Sequence, residues 1–139
     1  MTDVHLTYNI DGGDFTSAGE ASGDMKRALR SMGVSSEIIR RCAICMYEGE
    51  INMVIHADGG DAEVLFDGQK IRIILSDSGP GIPDIDTAML EGYSTATDQV
   101  RDLGFGAGMG LPNIKKHSDV LKLESTVGVG TTLTIIINL

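Results

Sequence analysis

The sequence predicts a two-layer α/β sandwich of the α+β type, in which one mixed, mostly antiparallel sheet carries helices on one face. The first observation is the order of patterns: a strand, two helices, two strands, a long glycine-rich segment with helical pieces, and two strands. The second is that the last four strands form two pairs, each joined by a short glycine-containing turn of the kind found in antiparallel hairpins. A chain of 139 residues is also long enough to bury about two thirds of its unfolded surface. One domain over residues 1–139 is therefore expected.

The first strand and the two helices follow from hydrophobic periodicity. Residues 4–10 alternate apolar and polar side chains, which indicates a half-buried strand. A first helix is predicted over residues 15–32, before a glycine that ends it. Ser35 or Ser36 can cap a second helix, which runs to about Ala57. This second helix is apolar on several sides, which predicts that it is buried.

The rest of the chain contains two hairpins separated by the glycine-rich segment. Residues 79–109 hold most of the remaining Gly, Ser, Thr and Asp, and so long an irregular segment in a compact domain is usually functional or mobile. The predicted elements are strands at 62–66 and 71–75, a short helical piece at about 85–90, a helix at 110–117, and strands at 120–126 and 131–138.

Charge and composition argue against some classes of function. Acidic residues outnumber basic ones by 20 to 11, and the net charge of −9 argues against nucleic-acid binding, which needs a basic face. In so negative a field, nucleotide phosphates would have to be held by backbone N–H groups and a metal ion. No apolar run approaches the roughly 20 residues that span a bilayer, and no charged-then-apolar leader opens the chain. A soluble cytoplasmic protein without nucleic-acid or membrane partners is therefore expected.

Cys42 and Cys45 form a C-x-x-C pair that has two interpretations. As a functional pair they would be a redox centre or half of a metal site. Both lie inside the second helical pattern, however, without a second pair and without flanking Pro or Gly. Buried free cysteines usually behave as small apolar side chains, and this is the favoured interpretation.

Four short motifs follow one another in a fixed order after the first predicted helix. One glycine-rich loop is weak evidence, because glycine mostly marks turns. An acid and an amide one helical turn apart, followed by an Asp-x-Gly-x-Gly turn and two further glycine loops, are much harder to obtain by chance. The motifs are Glu48-x-x-x-Asn52, Asp77-Ser78-Gly79-Pro80-Gly81, Gly106-Ala107-Gly108-Met109-Gly110 and Gly128-Val129-Gly130-Thr131-Thr132.

Glu48 and Asn52 share one face of the second helix, since residues four apart are neighbours on a helix. The amide oxygen of asparagine suits Mg²⁺, which prefers oxygen ligands and bridges phosphates. A carboxylate one turn away can take the proton of an attacking hydroxyl or water. Alone, such a pair would more often be a solvated face or a local hydrogen bond; the other three motifs favour a site.

The glycine motifs have both functional and ordinary interpretations. A carboxylate at Asp77 can accept a hydrogen bond from the exocyclic amine of adenine, and Gly79 and Gly81 allow a flat base to approach the backbone. The alternative is an ordinary Asp-Gly turn. The glycines that end at Gly110 precede a predicted helix, and free N–H groups at a helix start can cradle an anion. The alternative there is a flexible linker.

Taken together, the motifs resemble those of the ATP-binding domain shared by type II topoisomerases, Hsp90 chaperones, histidine kinases and MutL proteins, the GHKL superfamily with its Bergerat fold. The resemblance extends from about Val4 to the C-terminus. Residues 108–116 look most like the small anti-sigma-factor and stress-switch serine/threonine kinases. The short chain leaves no room for a dimerisation helix pair or a transducer domain, which favours these kinases over gyrase, Hsp90 or a complete histidine kinase.

The resemblance implies a serine/threonine protein kinase of the anti-sigma-factor type, with ATP and Mg²⁺ as cofactors, in a partner-switching pathway. Its partners would be a small antagonist protein as substrate and a sigma factor or another regulatory protein. Related kinases include dimers, so a homodimer stays open. The resemblance assigns Glu48 as general base and Asn52 as Mg²⁺ ligand. It places Asp77 and Thr131 at the adenine, and Gly79 and Gly81 in the base pocket. A lid over about residues 82–109 would cover the phosphates, which the resemblance assigns to Gly106, Gly108, Met109 and Gly110.

The sequence departs from this family at two positions. Gly49 stands where related kinases usually carry Ala, which indicates either very close packing or a locally weakened helix. Gly106 stands where they often carry a basic residue. Both departures favour a first alternative, a non-catalytic, nucleotide-gated binding switch. The second alternative is the catalytic module of a split histidine kinase, and a remote third is a small metal or redox protein built on the cysteine pair.

Two further polar residues of the second helix have predicted places. Glu50 points to another side of the helix than Glu48, so it is expected to face solvent or a partner. His56 is expected to be a polar cap of the helix end, with a phosphate contact as the alternative.

Overall fold

The computed structural model describes residues 4–11, 19–56, 59–77, 110–126 and 128–139. These residues form five strands and three helices, and the helices pack on the buried face of a single sheet, so the predicted two-layer sandwich is confirmed. The helical piece expected near residues 85–90 falls outside the described residues. The elements are β1 (Val4–Asp11), α1 (Glu20–Ser31), α2 (Ser36–His56), β2 (Gly59–Phe66), β3 (Lys70–Asp77), α3 (Gly110–His117), β4 (Val120–Thr126) and β5 (Gly130–Asn138).

The sheet has the strand order β1–β2–β3–β5–β4, and all four pairings of the described strands are antiparallel. β2 with β3 and β4 with β5 form the two predicted hairpins, and these hairpins meet where β3 pairs with β5. Buried and less buried residues alternate along β3, because successive side chains of a strand point to opposite faces. Its buried residues Ile73 and Leu75 are paired with the buried Ile135 and Leu133 of β5.

The core lies between the sheet and the helices and consists mainly of aliphatic and sulfur-containing side chains. Each described helix contributes fully buried residues: Met25 and Leu29 from α1, Met46 from α2 and Ile114 from α3. The chain has no Trp and only three Phe and three Tyr, so small and branched side chains fill this space. Their burial fixes all three helices against one face of the sheet.

α1 begins later than predicted. Gly19 precedes it with φ of 97°, in the left-handed region that glycine adopts readily, so the helix starts at Glu20 and not at residue 15. Its other end agrees with the prediction, since the helix stops at Ser31 and Gly33 follows with φ of 81°.

α2 is the central helix, and its predicted burial is confirmed. Ser35 caps it, because its Oγ accepts a hydrogen bond of 3.4 Å from the N–H of Ile38. The helix packs against α1, α3 and the sheet. Cys42, Cys45 and Met46 are consequently 0% exposed. None of the described helices is both long and apolar enough to cross a membrane.

Candidate functional site

A row of polar side chains crosses three strands at one end of the sheet. Asp77, the last residue of β3, is the register partner of Thr131 on β5, and Thr131 is the partner of Ser125 on β4. The hydroxyl oxygens of Ser125 and Thr131 lie 2.9 Å apart and form a hydrogen bond. All three positions continue the helix-facing alternation of their strands. The expected proximity of Asp77 and Thr131 is present, whereas no sequence motif singles out Ser125.

The backbone approaches very closely beside this row, at Gly60 on β2. A Cβ atom at Gly60 would overlap the carbonyl oxygen of Ser76 and would lie 3.1 Å from the Cα of Asp77. The side chain of Met53, on α2, would also contact this Cβ atom. α2 therefore passes over the strand end that carries Asp77. The contact is made by Met53, the residue after Asn52 on α2.

Gly49 is explained by close packing between α2 and β3. A Cβ atom at Gly49 would overlap Cδ1 of Leu75, and Gly49 is itself buried. Of the two explanations that the sequence leaves open, the structure supports close packing. The glycine lets α2 approach the central strand at Leu75.

Glu48 is partly buried and contacts α3. Its Oε1 accepts a hydrogen bond of 3.4 Å from Nδ2 of Asn113. α3 begins at Gly110, the last glycine of the third motif. The predicted general base thus touches the helix that directly follows the predicted phosphate loop. The sequence motifs assign no role to Asn113, because a contact between residues 65 positions apart has no local signature.

Two further contacts hold α3 along α2. Nε of Arg41 donates to the carbonyl oxygen of His117 at 2.9 Å, and Sγ of Cys45 donates to that of Ile114 at 3.7 Å. Arg41 also forms an ion pair of 3.2 Å with Asp119. The pKa of the Asp119 carboxyl lies below its usual value. The main cause is the hydrogen bond from the backbone N–H of Asn138, and the guanidinium of Arg41 contributes less. Asn113 is thereby fixed opposite Glu48.

Glu50 contradicts the expectation that it faces solvent or a partner. It is 2% exposed, and its carboxylate accepts hydrogen bonds from the backbone N–H groups of Gly19 at 2.8 Å, Ala21 at 3.3 Å and Ser22 at 3.2 Å. These are N–H groups that a helix leaves unpaired at its N-terminus. Glu50 is therefore the cap of α1, supplied by α2, and the negative charge also suits the positive end of the helix dipole.

The cysteine pair belongs to the core. Cys42 and Cys45 are free thiols with 0% exposure. Burial raises the pKa of each thiol to about 12, so both stay protonated and unreactive near neutral pH. No group of three His, Cys, Asp or Glu side chains suited to a metal ion occurs within the described ranges.

The remaining predicted residues have simple locations. Asn52 and His56 lie on α2, with Asn52 one turn after Glu48. Gly110 is the first residue of α3. The other predicted positions, Gly79, Gly81, Gly106, Gly108 and Met109, fall outside the described residues, together with the predicted lid.

The fold and this arrangement define the class of protein. Residues 34–139 match the family of histidine kinase-, DNA gyrase B- and HSP90-like ATPases, and the chain belongs to this family. The superfamily inferred from the four motifs is confirmed, and the chain is an ATP-binding domain of that class.

Within the family, the chain is similar to particular bacterial regulators. It is 35% identical over 98 residues to the serine/threonine-protein kinase RsbT of Bacillus subtilis. The aligned segment covers 70% of this chain and 62% of that protein. It is 33% identical over 112 residues to the anti-sigma F factor of Thermoanaerobacter sp. (strain X514), which covers 81% of this chain and 66% of that protein. The chain thus spans less than two thirds of the length of either relative.

Solved structures share the fold at low sequence identity. The RsbU and RsbW domains of a Mycobacterium tuberculosis protein match with a TM-score of 0.63 and 15% identity, over 99% of this chain and 32% of that one. A chain of the SiaB–SiaC complex from Pseudomonas aeruginosa matches with a TM-score of 0.61 and 11% identity, over 95% of this chain and 88% of that one. At these identities, the likeness establishes the fold alone.

Proposed function

We propose that this ATP-binding domain is a serine/threonine protein kinase of the anti-sigma-factor type, which phosphorylates a small antagonist protein. The observation that carries the proposal is the place of Glu48. Its partly buried carboxylate lies one turn from Asn52 and contacts the helix that follows the third glycine motif. The similarity to RsbT, a serine/threonine-protein kinase, and to anti-sigma F factors supports the same reading.

The residues at the end of the sheet fit a nucleotide base. A purine edge presents both N–H donors and ring-nitrogen acceptors, and the row provides the carboxylate of Asp77 and the hydroxyls of Thr131 and Ser125. We assign Asp77 to the exocyclic amine of adenine. Thr131 and Ser125 would complete this side of the pocket.

Asn52 and the glycines of the motifs would bind the phosphates, their Mg²⁺ ion and the base. Asn52 supplies the oxygen that Mg²⁺ prefers, and Gly79 and Gly81 keep their proposed place at the base. Gly106, Gly108, Met109 and Gly110 would hold the phosphates through backbone N–H groups. Bound Mg-ATP supplies the phosphoryl group and part of the charge neutralisation.

The proposed reaction joins the hydroxyl oxygen of a serine or threonine of the partner to the γ-phosphorus. The bond from this phosphorus to the bridging oxygen breaks, ADP leaves, and Glu48 takes the hydroxyl proton. Asn113 holds one carboxylate oxygen, Oε1. We assign the proton to the other oxygen, Oε2.

Labelled phosphate transfer tests the proposal. The protein is mixed with γ-labelled Mg-ATP and an extract of its source cells, in parallel with Glu48→Gln and the control Glu37→Gln, an exposed acid in the first turn of α2. One small protein should gain an acid-stable label with the wild type and the control, and none with Glu48→Gln. An acid-labile label would identify a histidine kinase module instead.

The absence of transfer, despite ATP binding, would favour the nucleotide-gated binding switch. Gly49 no longer supports that alternative, because close packing on Leu75 accounts for it. Equal labelling by wild type and Glu48→Gln would remove Glu48 as the base. A sigma factor as second partner, a homodimer and a cytoplasmic location stay predictions.

A further inference from the structure

A surface groove is lined by residues of α1 and α2, and the proposed base Glu48 is among them. It encloses about 450 Å³. Lys26 and Arg30 line it from α1, and Arg40 and Tyr47 from α2. Glu48 is the lining residue farthest along α2. The groove and the proposed base therefore adjoin each other on this helix pair.

The groove is cationic although the protein is strongly acidic. The chain has a net charge of −9, but three basic side chains and a single acid line this cavity. Four ion pairs are present among the described residues, and none of them involves Lys26, Arg30 or Arg40. All three basic residues are exposed. Such a patch attracts and orients a negatively charged partner.

The groove also has the apolar surface that a peptide needs. Tyr47 exposes 38% of its surface, and the partly buried Ala43 lies one turn before it on the same face of α2. Tyrosine and arginine are the side chains that most often dominate protein–protein interfaces. An aromatic side chain among three cations fits an acidic polypeptide better than a small inorganic anion.

We propose that this groove binds an acidic, extended segment of the substrate protein and presents its serine or threonine to Glu48. This inference rests on the proposed kinase function. Arg40 precedes Glu48 by eight residues, or about 12 Å of helix. An extended peptide covers about 12 Å in roughly four residues. The substrate should therefore carry Asp or Glu about four positions from the phosphorylated residue.

Peptide binding tests the groove without requiring catalysis. Fluorescence anisotropy is measured with a labelled peptide that contains one serine and several glutamates about four positions away, and with a control peptide that has glutamines instead. The acidic peptide should bind at least about tenfold more tightly to the wild type. Arg30→Glu and Arg40→Glu should each lose about this preference. Arg27→Glu is the matched control, because Arg27 lies on α1 but does not line the groove and pairs with Asp24.

Several results would overturn the inference. Equal binding of the two peptides would do so, as would an equal loss with Arg27→Glu. Equally tight binding of a single-stranded DNA oligomer would show unspecific attraction of anions.

The kinase proposal fails separately. Selective peptide binding without transfer to any protein would leave the groove in place and end the kinase assignment. If Arg30→Glu and Arg40→Glu transfer phosphate to the cellular substrate at the wild-type rate, the kinase proposal is retained and the role of the groove is refuted.

Discussion

At the scale of single residues, Glu50 joins two helices through three backbone hydrogen bonds. Glu50→Gln keeps the shape but turns one acceptor oxygen into a donor that faces N–H groups. It should lower the free energy of unfolding by about 1–3 kcal/mol, because buried N–H groups lose a charged acceptor. Urea unfolding, followed by circular dichroism, measures the change.

Glu20→Gln is the control for this effect. Glu20 is exposed in the first turn of α1, close to the same helix end, so its loss should change stability by less than about 0.5 kcal/mol. Similar losses in both variants would show that the buried contacts of Glu50 contribute nothing beyond helix-end electrostatics.

Asn113 is a positioning residue for the proposed base. Asn113→Asp keeps the shape, removes the donor and places a second carboxylate against Glu48. The kcat of phosphate transfer should fall about tenfold or more, with little change in the KM for ATP. The reason is that losing a contact that acts only in the transition state lowers kcat and leaves substrate binding unchanged. Asn113→Gln should recover part of this loss. An unchanged kcat, or a loss shared equally by kcat and ATP affinity, would contradict the role.

At the scale of elements, α2 and β3 meet at Gly49. Gly49→Ala should destabilise the fold by about 1–3 kcal/mol, because the new methyl group overlaps Leu75 and overpacking strains a core. Gly23→Ala is the matched control. Gly23 is inside α1, where an added Cβ would meet only a side-chain nitrogen of Arg27 at 3.8 Å, so alanine should stabilise the protein by roughly 0.5–1 kcal/mol.

Thermal or urea unfolding compares the two variants directly. A stabilising Gly49→Ala would refute close packing and restore the alternative of a locally weakened helix. Adding Leu75→Ala to Gly49→Ala should cost less than the sum of the two single changes, since the residues are in contact.

The element boundaries show what local sequence can predict. The bounds of α3 and β4 were predicted as found, because Gly110 and Gly128 mark the outer ends of this pair of elements and helical spacing or alternation fills them. The start of α1 was predicted wrongly because Gly19 adopts a left-handed conformation, and the N–H groups after it are capped by Glu50 on another helix. A cap supplied from α2 leaves no signal beside α1 in the sequence.

At the scale of the whole molecule, the sequence motifs single out candidate residues but not the residues that contact them. Glu48, Asp77 and Thr131 belong to motifs, the structure pairs Asp77 with Thr131, and α2 passes over the end of β3. Asn113 and Ser125 were not predicted. Their contacts depend on how α3 packs on α2 and on the register of β4 with β5, which only the assembled fold determines.

The central claim is that α2 and the end of the central strand β3 form one ATP site. The nucleotide affinity of the Asp77→Asn variant tests it most directly. Isothermal titration should show ATP and ADP binding weakened alike by roughly 1–3 kcal/mol, the cost of a lost charge-assisted hydrogen bond. Asp61→Asn makes the same charge change on the exposed side of β2 and should bind like the wild type. Unchanged affinity in Asp77→Asn, or an equal loss in Asp61→Asn, would contradict the site.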